Sequence, residues 1–350
     1  MCQSRQDVLI VTMYEGGNLW DEAKAIRGVE TVTLRKRNLL TFVWRLIVVM
    51  RRERVGLIYA FLSTAQLYAL LVKCVMPHLN LVYRIGDSRV PEEYDLGVKD
   101  AFVTATLRAF SRAPALCVLN SEAARKANTF GLPPERLRVV HNGTDTDRFQ
   151  PNSSLRDRVR RELGVNEGTF LIGCVGTFSV WKDHITLVEA AQFVHAAIPT
   201  VHFVTIGDDS TSYGRSARQR VNQAGMEPWF QFLGLRSDVE RLLPACDIGC
   251  SSSITEGFPN ALCEFMACGV PCVVTDVGDS SAILGDTGRL VHKSNPRALA
   301  DGILDLLTMS TKDRMAMGQR ARRRISDQFS ASRMVSETNW ILDDLMASRR

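Results

Sequence analysis

Short apolar runs alternate with amphipathic stretches over almost the whole chain, and this alternation restricts the fold more than any other feature. In the first half the runs suited to strands are Val8–Met13, Thr31–Leu34, Gly56–Leu62, Asn80–Arg84, Ala115–Leu119 and Arg138–Val140. A polar segment, Pro151–Thr169, holds one short basic helix (Leu155–Leu163) and reads as a linker. The pattern then restarts with strands at Phe170–Val175, Val201–Ile206, Phe230–Leu233, Asp247–Ser251 and Pro271–Thr275. Between them lie helices at Ile185–Ala197, Ser216–Ala224, Ser237–Pro244 and Pro259–Cys268, with further helices from Pro296 onward. Repeated strand–helix units predict an α/β architecture of parallel sheets covered by helices. A chain of 350 residues suits two such domains. The expected division is 1–150 and 151–329, with a C-terminal helix at about 330–350 packing back on the first domain.

Composition excludes several classes. Hydrophobic residues make up 45% and charged residues 23%, which describes a globular chain rather than a disordered one. The 9 cysteines include no C-x-x-C and no histidines at zinc-ligand spacing. Cys174, Cys250 and Cys272 lie in strand-like apolar runs, where a reduced cysteine acts as a small hydrophobe and implies a reducing compartment. Residues 1–13 carry no secretory core. The longest uncharged run, Val55–Val72, reaches the lower limit of a membrane span, but Ser63, Thr64 and Gln66 interrupt it. It reads instead as a strand (Gly56–Leu62) followed by a helix (Ala65–Met76) that Pro77 ends.

The net charge of +5 is uneven: residues 1–150 carry +6 and the remainder −1. Most of the excess lies in Lys24–Arg54, where nine basic residues face only Glu30 and Glu53. Leu39, Leu40, Phe42, Val43, Trp44, Leu46, Ile47 and Val48 are interleaved. A basic face beside apolar side chains fits an anionic membrane surface, and it equally fits a solvated helix with an ordinary core stripe. No nucleic-acid-binding motif accompanies the charge, so nucleic acid is not an expected partner.

Open α/β sheets bind ligands beyond the carboxyl ends of their strands. The loop after Asp247–Ser251 runs Ser252-Ser253-Ile254-Thr255-Glu256-Gly257-Phe258-Pro259-Asn260-Ala261-Leu262-Cys263-Glu264. Pro259 suits the first position of a helix, Gly269 its end. The helix start offers unpaired N–H groups and a positive dipole end to an anion. Glu256 before it and Glu264 within it can reach hydroxyls on opposite sides of a bound phosphate, the layout of a nucleoside diphosphate sugar. A second loop, Gly176-Thr177-Phe178-Ser179-Val180-Trp181-Lys182-Asp183-His184, follows another strand, and Lys182 could neutralise a diphosphate.

The string E-G-F-P-N-A-L-C-E, continued by F-M-A-C-G-V-P-C-V-V-T-D-V-G, resembles the donor-site signature of glycosyltransferase family 4. That resemblance implies a GT-B fold, with two Rossmann-like domains facing across a cleft, and a retaining transferase. It gives Glu256 contact with the donor sugar, Glu264 the ribose hydroxyls, and Gly257, Phe258, Pro259, Asn260, Ala261 and Leu262 the sugar and diphosphate. Gly176 to Asp183 resembles the family's phosphate loop, with Lys182 matching its lysine and Thr177 standing where its arginine would be. Gly207 resembles the strand-end glycine beside the donor, and Phe232-Leu233-Gly234 with Arg236 and Asp238 the region that meets the nucleobase. His141-Asn142-Gly143-Thr144-Asp145 with Phe149 resembles the element ahead of the interdomain linker.

The first domain matches less well. An opening strand and glycine-rich loop, expected ahead of Val8–Met13, are not evident, and Gly16-Gly17 resembles the loop after the second strand. Arg84, Asp87 and Arg89 are candidate acceptor contacts. Asp145-Thr146-Asp147 has the D-x-D form of a metal motif but sits beside the linker, which favours a structural role. No metal and no cofactor beyond the sugar nucleotide is expected. Lys182 and the helix start would stabilise the leaving diphosphate, and Glu256 would orient the sugar. The expected acceptor is a glycan or lipid-linked hydroxyl, and the expected location is cytoplasmic, on the inner face of the membrane. Two other readings remain at this stage: an inactive partner subunit of the same fold, and a sugar-nucleotide epimerase.

Overall fold

The computed structural model describes residues 8–15, 20–36, 38–86, 98–128 and 130–347. The first half runs β1 (Val8–Thr12), α1 (Trp20–Ala25), β2 (Val29–Thr33), α2 (Leu39–Arg52), β3 (Leu57–Phe61), α3 (Ser63–Val75), β4 (Asn80–Ile85), α4 (Val98–Ala109), β5 (Leu116–Leu119), α5 (Glu122–Ala127) and β6 (Leu137–Val139). β3-β4-β5-β6 form a parallel sheet, while among the described residues β1 and β2 pair only with each other. No ladder joins β1 to β3, although Leu9, Val11 and Ile58 pack against the same cluster of Phe42, Leu46, Tyr68 and Val72. β4 and β5 are almost wholly buried, whereas β1 and β3 are largely half-buried, as strands with an unpaired edge should be. The uncharged run Val55–Val72 does split into β3 and α3. Buried Gln66 donates Nε2–H to the Arg84 carbonyl at 2.9 Å, which accounts for a polar residue inside that run. Among the described residues no helix is long and apolar enough to cross a membrane.

The second half runs α6 (Ser153–Glu162), β7 (Phe170–Val175), α7 (His184–Ala197), β8 (Val201–Ile206), α8 (Ser212–Gln223), β9 (Phe230–Phe232), α9 (Val239–Leu242), β10 (Ile248–Ser251), α10 (Asn260–Ala267), β11 (Cys272–Thr275), α11 (Ser280–Leu284), β12 (Gly288–Val291), α12 (Pro296–Thr308), α13 (Thr311–Gln328) and α14 (Ala331–Ala347). Its six strands form one parallel sheet in the order β12-β11-β10-β7-β8-β9. Because helices cover both faces, these strands are apolar on both sides rather than alternating. Leu171, Val204 and Ile206 face α10, while Ile172, Cys174, Val201 and Phe203 face α7 and α12.

Two glycines seat α10 on this sheet. Gly173 and Gly249 are register partners in β7 and β10. A Cβ on Gly249 would stand 2.6 Å from Phe265 Cγ, and one on Gly173 would stand 3.0 Å from Phe265 Cζ. The paired glycines thus leave a depression that the fully buried Phe265 ring of α10 fills. Burying such a ring contributes about 1.5–3 kcal/mol.

The C-terminal segment returns to the first half. Thr144 and Ser330 form a parallel bridge, with Thr144 N–H donating to the Phe329 carbonyl at 2.8 Å. Gly143 permits this crossing, since a Cβ there would lie 2.5 Å from Ala331 Cα. Ile341 and Leu342 of α14 then pack with Val82, Leu116, Val118 and Val140.

Candidate active site

β7 has β8 on one side and β10 on the other, so the connections leaving this point diverge. A crevice at the carboxyl ends of such strands is where open α/β sheets bind ligands. The loop after β7 is held there from both sides. Phe178 N–H donates to the Asp208 carbonyl at 2.9 Å, beyond β8. Ile254 N–H donates to the Trp181 carbonyl at 2.8 Å, and Ser252 Oγ donates to the Lys182 carbonyl at 2.9 Å, beyond β10. Gly207, at φ +153°, approaches so closely that a Cβ would lie 2.1 Å from the Gly176 carbonyl oxygen. Its N–H donates to the Gly234 carbonyl at 2.9 Å, bringing the end of β9 alongside. Gly176, Gly207 and Gly234 therefore line one edge, with the Lys182 stem over Gly176. Thr177 lies exposed on the same loop.

Asp183 takes a left-handed conformation (φ +45°) and caps α7, accepting from Thr186 N–H at 3.3 Å, Thr186 Oγ1–H at 2.7 Å and Tyr213 O–H at 3.1 Å. This fixes the residue after Lys182 and aims its side chain at the other loop. Lys182 Nζ forms an ion pair with Glu256 Oε1, which also accepts from Ser253 Oγ–H at 2.8 Å. A cation and a carboxylate 74 residues apart in sequence thus meet at the switch point.

α10 begins at Asn260 with Pro259 as its N-cap, one residue later than the helix expected from Pro259. The proline makes no side-chain cap, and the first-turn amides have no carbonyl behind them within the helix. The loop ahead of it is tightly stacked: a Cβ on Gly278 would lie 2.3 Å from the Glu256 carbonyl oxygen, and one on Gly257 would lie 2.9 Å from the Gly86 carbonyl oxygen. Gly257 is therefore the point where the loop meets the first half. Phe258 packs between His141 and Phe329 at ring-centroid distances of 5.6 and 5.7 Å, and Leu262 is buried in the core. Both residues can offer a ligand only their main chain. Asn260 Oδ1 accepts from Asn142 Nδ2–H at 3.1 Å, and Ala261 is half-buried.

Glu264 lies one turn into α10. Burial pushes its carboxyl above the usual range, with Arg148 opposing and Glu240 adding to the effect. Arg236 clasps Asp238 through Nε and Nη2, both at 2.8 Å, and that pair holds the Asp238 carboxyl down at about 2. Arg84 donates to the Val140 carbonyl and to Asn142 Oδ1, each at 2.9 Å. Its guanidinium thus ties strand ends together and supports Asn142, which in turn holds Asn260. Asp87, Arg89 and Gly16-Gly17 lie outside the described residues. Asp145 Oδ1 accepts from the N–H groups of Asp147 and Arg148, both at 3.0 Å, so the D-x-D carboxylate closes its own turn. Among the described residues no three His, Cys, Asp or Glu side chains converge as a metal site would need.

The most consequential contact that the sequence did not reveal is made by Asp279. Its carboxylate accepts from Glu122 N–H at 2.8 Å and Ala123 N–H at 2.9 Å, across to the start of α5, and lies 3.4 Å from His141 Nε2. Burial pushes this carboxyl up, but the hydrogen bonds from His141, Ala123 and Glu122 outweigh burial and leave it below its ordinary value. The two amides it accepts from are 157 and 156 residues away, so no local pattern marks it.

Two parallel α/β layers meeting across a cleft, with the Lys182 and Glu256 loops on the second, define a protein of the GT-B fold class. Residues 2–148 match the profile described as Glycosyltransferase Family 4, and residues 169–309 match Glycosyl transferases group 1. The chain belongs to glycosyltransferase family 4. It is 22% identical over 240 residues to the UDP-Gal:alpha-D-GlcNAc-diphosphoundecaprenol alpha-1,3-galactosyltransferase of Escherichia coli, covering 67% of this chain and 61% of that relative. It is 27% identical to the putative glycosyltransferase EpsD of Bacillus subtilis, covering 63% and 58%. The matches thus span about three-fifths of the length of these curated relatives. Among solved structures, HepE of Anabaena in complex with UDP and glucose superposes with a TM-score of 0.83 at 22% identity, covering 96% of this chain and 91% of that one. Sucrose-phosphate synthase of Thermosynechococcus elongatus gives 0.83 at 18% identity, covering 99% and 91%.

Proposed function

We propose that the chain is a retaining glycosyltransferase. It moves a sugar from a nucleoside diphosphate sugar to a hydroxyl of a glycan or lipid-linked acceptor in cell-surface polysaccharide synthesis. The observation that carries this reading is the meeting of Lys182 and Glu256 at the switch point, beside the start of α10. A donor diphosphate fits between the Lys182 ammonium and the first-turn amides, and competes with Glu256 for the lysine. Glu256 is then released to accept from the sugar hydroxyls, while Glu264 accepts from the ribose. Arg236 and Gly234 border the base.

In the reaction the bond between the anomeric carbon and the β-phosphate oxygen breaks, and its electron pair stays on the diphosphate. Lys182 and the α10 amides meet that growing charge. The acceptor hydroxyl attacks the same face, and its proton passes to the departing phosphate oxygen. Fixed protein charge does here what a divalent cation does elsewhere, so the reaction needs no metal. Retention of Lys182, Glu256 and Glu264 together favours an enzyme over an inactive partner subunit, despite Thr177.

The basic excess in Lys24–Arg54 supports a place on the inner, anionic face of the cytoplasmic membrane. The name of the Escherichia coli relative, which specifies a lipid diphosphate, supports a lipid-linked acceptor. A binding screen with UDP-, GDP- and ADP-sugars, followed by turnover in EDTA, tests the reading. One donor should bind, and transfer should survive chelation. Failure of all three donors to bind would overturn the reading, and manganese-dependent rescue after chelation would overturn its metal-free chemistry.

A further inference from the structure

The helix α2 bears a face that the core does not explain. Ten of its 14 residues are apolar, yet only Phe42, Leu46, Val49 and Met50 are buried. A surface helix needs one apolar stripe against the core, and its outer face is normally polar. Here the outer face carries Leu40, Trp44 and Val48 at intervals of four residues, 81%, 64% and 43% exposed. They form one continuous line about 12 Å long on the side away from the sheet.

We propose that this outer face of α2 docks on an anionic bilayer, with Leu40 and Trp44 entering the boundary between headgroups and acyl chains. Charge complementarity selects the occupant. The charged residues of α2 are Arg45, Arg51 and Arg52, with no carboxylate among them. Arg51 and Arg54 are exposed at its C-terminal end, and Arg52 is offset by Glu53 at 2.5 Å. A protein partner would satisfy the apolar line but gives no reason for the excess of exposed arginines beside it. An interfacial helix requires both features, a tryptophan and leucines toward the lipid and cations toward the phosphates. Asn38 holds the insertion end in shape: its Oδ1 accepts from Thr41 N–H at 2.9 Å, so the first turn carrying Leu40 does not fray. This inference rests on the membrane part of the reading above and is independent of its chemistry.

The test is cosedimentation of the full chain with vesicles of phosphatidylcholine, with and without phosphatidylglycerol, for wild type, Leu40→Ser/Trp44→Ser and Arg51→Ser/Arg52→Ser. Wild type should bind the phosphatidylglycerol vesicles. The apolar pair should cut partitioning by about tenfold or more. The arginine pair should cut it by about fivefold for each charge removed and flatten its salt dependence. The difference in emission between wild type and Trp44→Phe should shift to the blue on vesicle addition. Unaltered nucleotide binding checks that each variant is folded. If Leu40→Ser/Trp44→Ser binds as wild type does, the face is not the docking surface although the chain is membrane-bound. If wild type ignores phosphatidylglycerol, the membrane reading falls with it. A dimer that the same pair of substitutions dissolves, without vesicle binding, would assign the face to a second copy and overturn the proposal.

Discussion

His184 stands directly beside the loop after β7 without a hydrogen-bond partner for either ring nitrogen among the described residues. It stacks on Phe178 at 3.8 Å and serves as an apolar ring. Burial, with Lys182 adding to it, pushes its pKa from 6.5 to about 3. Between those values the unfolded chain binds a proton that the folded chain refuses. Stability is therefore complete above pH 6.5 and declines as pH falls toward 3, by at most about 1.4 kcal/mol per pH unit for this one group. His184→Phe should flatten that slope in urea melts run at several pH values, whatever it does to absolute stability through packing. An unchanged slope would mean that His184 protonates freely in the folded protein. The same scale shows where sequence reading stops. Lys182 and Glu256 stand out in sequence as candidates because each lies in a loop that follows a strand, and Glu264 because it lies one turn into the helix that Gly257 and Pro259 announce. Arg84 and Arg236 look equally suited to ligands, but a guanidinium that meets nearby carbonyls or a carboxylate looks the same in sequence as one that meets a substrate.

At the scale of elements, strand positions were legible to within a residue or two, because buried parallel strands read as short runs of mostly apolar residues. β12 escaped notice: Gly288-Arg289-Leu290-Val291 is a short edge strand with an arginine in it, and edges tolerate charge. The glycines of β7 and β10 also gave no signal, since their purpose lies in a neighbour from another element. Their pairing predicts that Gly249→Ala drives Phe265, and α10 with it, off the sheet. Overpacking of this kind costs about 1–3 kcal/mol. The melting temperature should fall by about 2 °C or more, and nucleotide-sugar affinity should fall with it, because α10 begins at the turn proposed to hold the donor diphosphate. Trimming the ring as well, in Gly249→Ala/Phe265→Leu, should recover part of both. If Gly249→Ala melts and binds as wild type does, the glycine pair does not position the helix.

At the scale of the whole molecule, contacts between residues far apart in sequence join the halves. The α14 segment crosses back over Gly143, and Asp279 accepts from the first amides of α5. The expectation of two α/β domains came from repetition along the chain and that of their facing arrangement from the family resemblance, whereas these cross-contacts involve residues far apart in sequence and could not be read from it. Asp279 joins the donor-side loop to the first half, so Asp279→Asn should weaken closure. Losing a charge-assisted bond of this kind costs about 1.5–3 kcal/mol. X-ray scattering should then report a larger radius of gyration for the variant. Because the folded carboxyl lies below its ordinary value, wild type should keep its dimensions as pH falls from 7 through the ordinary carboxylate range and open only on further acidification. Equal radii for variant and wild type at neutral pH would deny Asp279 a role in closure.

On the proposed reading, Glu256 and Lys182 face a sugar nucleotide whose sugar this chain transfers. The most direct measurement follows label from a radioactive nucleotide sugar into a membrane lipid extract, comparing wild type with Glu256→Gln. The residue lies in a loop and supports no core, so the variant should fold and still bind the nucleotide diphosphate. Wild type should transfer label, and Glu256→Gln should lose nearly all of it. Transfer at near wild-type rate by Glu256→Gln would contradict the assignment of this cleft as the donor site.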